Sequence, residues 1–339
     1  MTDPQAATPS EETSIHTYPF TYQGTNVDLV INRAYDISGG PARSATVFKA
    51  TLSGGTLDIP IAVAAKVLGT AYTMDTGKAA SKEVERWKDL NHPNILRFYG
   101  WCTFGLGQLC LVSPLMERGN MRTFLRGNLD PGTRLELLRQ VADALVYLHM
   151  HMGRVHGDLK CANVLISDDK RALLCDFGLS TLIERTDPTL TLIRKMNTLV
   201  FAAPEVLMDR ADDKVGVLPL EEDGVAKTIK PRSKTRYSDI YAFGMLIYEA
   251  HAGAAPWEGE AEWDIPSKVN AGERPNRPEG EGQVRMSDGL WELCNNCWKG
   301  DPKDRPLANN VLNTLTSLAG AVPGGSDAAP GGSSAVPAA

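Results

Sequence analysis

Excess positive charge is missing from this chain. Its 339 residues carry 35 Lys and Arg against 41 Asp and Glu, a formal net charge of −6. That balance excludes a nucleic-acid surface as its main business, because a phosphate backbone is bound through surplus cations. Long apolar runs are missing too. The most apolar stretch of strand-like length, Ile59 to Leu68, is too short for a membrane span and contains Lys66. The first residues have no basic region leading into an apolar one, so no secretory signal is expected. Cysteine is sparse: six residues at uneven spacings, which point to reduced thiols in the cytoplasm or nucleus. Cys294 and Cys297 form a C-x-x-C pair, but no second pair completes a tetrahedral zinc site, and core packing is the expected role.

What is present is enough apolar material, 42% of the residues, for two packed lobes. Residues 1–26, rich in Thr, Pro, Ser and Glu, are expected to form a disordered leader, and residues 319–339 a flexible Gly/Pro/Ala/Ser tail. Between them, Ile59 to Leu68 reads as an apolar strand broken by Lys66. A lysine in a buried strand is costly unless paired, so the pattern itself predicts a partner. Lys78 to Leu90 has helical composition, and Leu109 to Met116 reads as a buried strand. Thr133 to His151 carries Leu135, Leu138, Val141, Ala142, Leu145 and Leu148 at helical spacing.

The most informative stretch is His156 to Leu165, HGDLKCANVL, which spaces Asp158, Lys160 and Asn163 ahead of an apolar run. Asp176-Phe177-Gly178 follows. Phosphoryl transfer needs such groups close together: a carboxylate to take a hydroxyl proton, a cation to offset phosphate charge, and oxygens to hold a metal. With Ala203-Pro204-Glu205 and the DPKDRP motif at Asp301 to Pro306, the chain resembles the eukaryotic protein kinases, and within them the tyrosine-kinase-like group of Ser/Thr enzymes.

The resemblance implies an α+β, two-lobed protein kinase fold over residues 27–318. A small β-rich lobe with one helix, αC, would span 27–112, a hinge 113–119, and a larger, mainly helical lobe 120–318. It implies ATP and Mg2+ (or Mn2+) as cofactors and Ser/Thr side chains of proteins as substrates. Asp158 would be the base, Lys160 the cation at the γ-phosphate, and Asn163 and Asp176 the metal ligands. Lys66 would position the α- and β-phosphates, held by Glu83, nine residues before His92; Glu85 is its local competitor. Trp87, on the same helical face as Glu83, would pack with Phe98, Phe177 and His156. Ser113 would be the small residue that limits the back of the adenine pocket, with Pro114 and Met116 reading the adenine edge. Gly40, Val47, Ala64 and Leu165 would complete the nucleotide contacts. Thr198 would bridge Asp158 and Lys160, as in Ser/Thr kinases. Glu205 would pair with Arg305, and Asp239 would bond the backbone of the catalytic loop or cap its own helix after Ser238.

Several positions depart from the family pattern. With the motif G-x-G-x-x-G-x-V ending on Val47, its glycines fall at Gly40, Ala42 and Ala45, so two of the three carry a methyl group. That erosion supports an alternative, a pseudokinase that binds nucleotide or acts as a scaffold without turnover. Gly157 replaces an Arg that grips a phosphorylated loop in many relatives, which implies weak dependence on such phosphorylation. Residues 209–236 are longer than usual and end in a basic run, most simply a solvated loop. A small-molecule phosphotransferase is disfavoured, because Glu205 and Arg305 belong to a peptide-docking segment. The oligomeric state is left open.

Overall fold

The structure, a computed structural model, describes residues 15–37, 45–68, 84, 87–105, 107–127, 129–177, 199–207, 234–279 and 286–320. It has two lobes, a six-stranded sheet followed by a mainly helical body. The sheet contains β1 (Ile15–Tyr22), β2 (Thr25–Asp36), β3 (Ala45–Ser53), β4 (Ile61–Leu68), β5 (Gly100–Phe104) and β6 (Gln108–Pro114), in the order β1-β2-β3-β4-β6-β5 and antiparallel throughout.

The first strand corrects the expected leader. Residues 15–22 pair in register with β2, from Ile15 opposite Asn32 to Tyr22 opposite Thr25. The two-residue turn Gln23-Gly24 has φ of 50° and 79°, the mirror-image geometry that suits a tight hairpin. What holds the strand is aromatic. Phe20 is buried, Tyr18 lies 5.0 Å from Phe104, and Tyr22 meets Tyr99 edge-on at 4.9 Å. The polar residues between these rings make the segment look disordered by composition, yet they fall on the open face of a strand.

The other expected strands appear where the apolar runs are. β6 is buried on both faces: Leu109 and Leu111 join the core of the helical lobe, whereas Cys110 joins the core inside the sheet. Such a strand reads as a continuous apolar run rather than an alternating one. Of the expected helix at 78–90, residues 84, 87 and 88 are described and helical.

In the helical lobe, α1 (Met121–Phe124) and α2 (Pro131–Val146) precede a π-helical turn, Tyr147–His151. The Asp130 side chain accepts from the Thr133 N–H at 2.8 Å, and Pro131 takes the first turn, where its missing N–H costs nothing. β7 (Val164–Ile166) and β8 (Ala172–Leu174) form a small hairpin. After α3 (Pro204–Leu207) comes α4 (Arg236–Ala252), closed by a reciprocal Thr235–Ser238 capping box and by Gly253 at φ 71°. Of residues 209–236, those up to 233 lie outside the described residues, and Thr235 and Arg236 belong to the start of α4. α5 (Ile265–Asn270), α6 (Asp288–Cys297) and α7 (Ala308–Gly320) complete the lobe. α7 runs to Gly320, beyond the expected end at 318; the tail from 321 onward lies outside the described residues. Cys294 and Cys297 are both buried in the core. Among the described residues, no helix is long and apolar enough to cross a membrane.

Arg305 staples α3 to the rest of the lobe. Its guanidinium donates to both Glu205 oxygens at 2.7 and 2.8 Å, and to the carbonyls of Lys299, Tyr237 and Gly300. It also lies over the Tyr241 ring, 5.1 Å from the centroid. Arg305→Ala strips a charged partner from Glu205 and leaves three carbonyls short of a donor. It is expected to cost about 3 kcal/mol or more in urea unfolding.

His251, on α4, is enclosed, and burial pulls its imidazole from 6.5 down to about 4. A lowered histidine stabilises fully above its unfolded value. As pH falls from about 6.5 towards 4, the unfolded chain takes up a proton that the folded one refuses. Stability is therefore lost at about 1.4 kcal/mol per pH unit from this group. His156, also lowered by burial, adds to the slope with the same sign. Urea titrations at several pH values between 7.5 and 4.5 should show a shallower acid loss for His251→Leu than for the wild type.

Candidate active site

Sheet register puts four of the sequence-selected residues on one face. Val47 lies opposite Lys66 and Ala64 opposite Ser113, while Lys66 and Ala64 are two residues apart on β4. That face turns towards the helical lobe. Ala45, at the third glycine position of the eroded motif, packs against that lobe's core from β3. Ser113 is buried, and Pro114 ends β6 opposite Val63. Next in the chain, the Met116 carbonyl accepts from the Gly119 N–H at 3.1 Å, which turns the chain into the helical lobe.

Lys66 has the partner its strand demanded, and it comes from across the cleft. Its ammonium donates to both oxygens of Asp176, at 2.5 and 2.6 Å. The lysine side chain is 22% exposed and the aspartate 18%, so the pair borders solvent instead of being sealed. Asp176 sits at φ 66°, a left-handed conformation that Asp tolerates better than most residues. Glu83, expected to hold Lys66, lies outside the described residues, as does Glu85. Gly40, Ala42, Thr198 and Gly178 also lie outside them.

Around Asp158 the groups converge. Lys160 Nζ donates to the two Asp158 oxygens at 3.0 and 3.2 Å. Asn163 Nδ2 donates to the Asp158 carbonyl at 2.6 Å and to Oδ2 at 3.0 Å. With its NH2 group committed there, the Asn163 amide oxygen faces away from Asp158. Cys175 N–H donates to the Asn163 carbonyl at 2.9 Å, which ties the segment leading to Asp176 onto the loop that carries Asp158. Leu165, half-buried on β7, bridges to Asn120 below the hinge.

The loop itself is hung on α4. Asp239, 1% exposed, accepts from the His156 N–H and from the Gly157 N–H, each at 2.8 Å. Gly157 has φ 78°, so glycine here meets a backbone need that a side chain would strain. His156 Nδ1 accepts from the Asp158 N–H at 3.2 Å, so Nε2 carries the proton donated to the Cys175 carbonyl at 2.8 Å. Burial lowers the His156 imidazole, against the pull of Asp239, and keeps it neutral. The expected aromatic column is assembled: Trp87 stacks on Phe98 at 4.7 Å, Phe177 lies 6.2 Å from Trp87, and His156 meets Phe177 at 5.1 Å.

Sequence reasoning missed two supports of this loop. His149 Nε2 lies 2.8 Å from Asp239 Oδ2, in the π-helical turn after α2. Glu249, 3% exposed near the end of α4, accepts from the Cys161 N–H at 2.8 Å and pairs with Arg122 at 3.1 Å. Burial pushes the Glu249 carboxyl up, while the Cys161 amide and Arg122 pull it down. The signal was a lone carboxylate inside the apolar helix MLIYEAHA.

The donor set suits magnesium better than a protein-caged metal. Asp176 and Asn163 offer one carboxylate and one amide oxygen, and the described residues contain no group of three His, Cys, Asp or Glu able to hold a metal ion. Magnesium is bound in this sparse manner when phosphates and water fill its remaining positions.

Residues 40–315 match a family model described as protein tyrosine and serine/threonine kinase. A probable LIM domain-containing serine/threonine-protein kinase of Dictyostelium discoideum is 30% identical over 234 residues, 68% of this chain and 31% of that protein. Kinase suppressor of Ras A of Caenorhabditis elegans is 30% identical over 270 residues, 76% of this chain and 32% of its own length. Tyrosine-protein kinase Mer of Mus musculus is 26% identical over 275 residues, 75% of this chain and 25% of its own. The chain thus spans between a quarter and a third of the length of these relatives.

Asp239→Asn replaces a two-oxygen acceptor with a group that has one acceptor and a donor, so the amides of His156 and Gly157 cannot both be satisfied. The expected cost is about 3 kcal/mol. Hydrogen exchange should show protection lost at those two amides before the strands of the sheet.

Proposed function

Because the chain belongs to the protein tyrosine and serine/threonine kinase family, we propose that it transfers the γ-phosphate of ATP to Ser or Thr side chains of protein substrates, as a member of the tyrosine-kinase-like group. The observation that carries this reading is the convergence of Lys66, Asp158, Lys160, Asn163 and Asp176 on one cleft between the lobes. Its domain would begin at β1, ahead of the residues matched to the family.

Asp158 is the base. Its carboxylate, fixed by Lys160 and Asn163, accepts the proton of the attacking hydroxyl. Lys160 lies within reach of the same oxygens and offsets the negative charge that gathers beside them. Bound magnesium ATP supplies the transferable phosphoryl group and the electrophilic phosphorus. Asp176 and the Asn163 amide oxygen would hold the metal, and Lys66 would hold phosphate oxygens once its carboxylate partner turns to the cation. Val47, Ala64, Ser113, Pro114, Met116 and Leu165 would enclose the base and ribose. The preference for Ser and Thr rests on Lys160 and Thr198. Glu205 and Arg305 support a peptide substrate, since they brace the segment on which one would dock. Six reduced cysteines support a cytoplasmic or nuclear setting.

A second reading, a nucleotide-binding scaffold, draws on Ala45, whose methyl group stands where the motif has its third glycine. One experiment separates the two. Wild-type protein with Mg·ATP should phosphorylate itself or a generic peptide, and acid hydrolysis should release phosphoserine or phosphothreonine. Asp158→Asn should lower the rate by about 100-fold or more. Phosphotyrosine as the sole product would overturn the specificity. A thermal shift with Mg·ATP and no incorporation would favour the scaffold.

A further inference from the structure

We propose that Cys102 and Cys110 form a peroxide-sensitive dithiol, a modification site in the small lobe that closes to an intramolecular disulfide. This does not depend on phosphoryl transfer, and it is read out on the thiols themselves.

The two residues lie directly opposite each other in the β5–β6 hairpin. Opposed residues of an antiparallel pair have Cα atoms about 4.5–5.5 Å apart, inside the window of about 4.4–6.8 Å that a disulfide spans. Both side chains point to the same face of the sheet, into its core among Phe104, Val67 and Val112. Both are reduced, and each thiol is close enough to shift the other's titration.

Their surroundings divide the labour. Cys102 is 7% exposed and lies on the wall of a 1090 Å³ cleft between the β1–β2 hairpin and β5, beside Tyr22, Tyr99 and Trp101. Cys110 is fully enclosed behind it. A small oxidant entering the cleft therefore meets Cys102 before Cys110, which does not line it. The neighbouring Cys110 thiol lowers Cys102, against burial, whereas Cys110 is raised. The other four cysteines are poor candidates. Cys161 is fully enclosed beside Glu249, and Cys175, 6% exposed, lies beside Asp176; burial first and then these carboxylates push both thiols up. Cys294 and Cys297 are raised by burial on α6.

The chemistry balances with hydrogen peroxide as oxidant. The Cys102 thiolate attacks one peroxide oxygen; an S–O bond forms, the O–O bond breaks, and the departing hydroxide takes a proton to become water. Cys110 sulfur then attacks the Cys102 sulfenic acid. The S–S bond forms, the S–O bond breaks, and the second water leaves with the Cys110 proton. Two thiols are oxidised and one peroxide is reduced. β6 also pairs with β4, Cys110 opposite Val67 and Leu111 opposite Lys66, so the new bond would tether the strand beside the Lys66 register.

The test uses the full chain, native, titrated with hydrogen peroxide and then denatured with N-ethylmaleimide. Peptide mapping by mass spectrometry without reductant follows. The expected product is a Cys102–Cys110 cross-linked peptide that dithiothreitol reverses, with the other four cysteines still alkylated as thiols. In Cys110→Ser, Cys102 should accumulate as a sulfenic acid that dimedone labels. Sulfinic acid on Cys102 without the cross-link, a disulfide that forms only after unfolding, or earlier oxidation of any other cysteine would overturn the proposal. The wild-type map decides the pairing by itself if the serine variant does not fold.

Discussion

Two carboxylates on one buried helix carry the loop that holds Asp158. Asp239 holds the amides of His156 and Gly157, and Glu249 holds the amide of Cys161. Ten residues of α-helix rise about 15 Å. The five steps of chain from His156 to Cys161 can reach at most about 17 Å when extended. The loop is therefore pinned at both ends along α4, and Lys160 lies extended, at φ −166° and ψ 161°. Asp158 sits between the pins, where its backbone cannot wander. Burying two carboxylates is costly. Each is met by backbone N–H groups and a neighbouring side chain, which is the condition under which a buried charge stabilises one conformation instead of opposing folding.

From that loop the constraint spreads to the small lobe by two routes. One is polar: Cys175 hydrogen-bonds Asn163, and the next residue, Asp176, reaches Lys66 on β4. The other is apolar: His156, Phe177, Trp87 and Phe98 stand in contact, and Trp87 Nε1 donates to the Leu96 carbonyl at 3.0 Å. Both routes pass through consecutive residues, Asp176 and Phe177. The left-handed turn at Asp176 lets one side chain point to the cleft while the next points into the core. A conformational change at this step would alter the polar and the apolar contact together.

Motifs whose chemistry is local were legible before any coordinates. The spacing of Asp158, Lys160 and Asn163 places them on one short loop, and the structure brings them within hydrogen-bonding distance. The Glu205–Arg305 pair spans 100 residues, yet both ends stand out as charges in motif context, and they meet bidentately. By contrast β1 was invisible, because Thr17, Pro19 and Thr21, exposed between the rings of Tyr18, Phe20 and Tyr22, lower the mean hydropathy that marks a folded strand. Glu249 and His149 were passed over since neither belongs to a recognisable motif. Gly157, read only as a lost arginine, has a backbone reason in its positive φ.

Sequence by itself determined the chemistry in hand: which side chains could accept a proton, carry a cation or hold a metal, and which apolar runs had to be buried. Those properties belong to residue types and short spacings. Tertiary structure alone decided the partnerships that no motif marks. That Lys66 would face Asp176, that Glu249 would share one loop with Asp239, and that Cys102 would oppose Cys110 depends on sheet register and on how a helix passes beneath a loop. A shift of one residue in a strand turns every side chain to the other face. Such pairings are settled by the packing of both lobes at once, not by any segment that can be read alone.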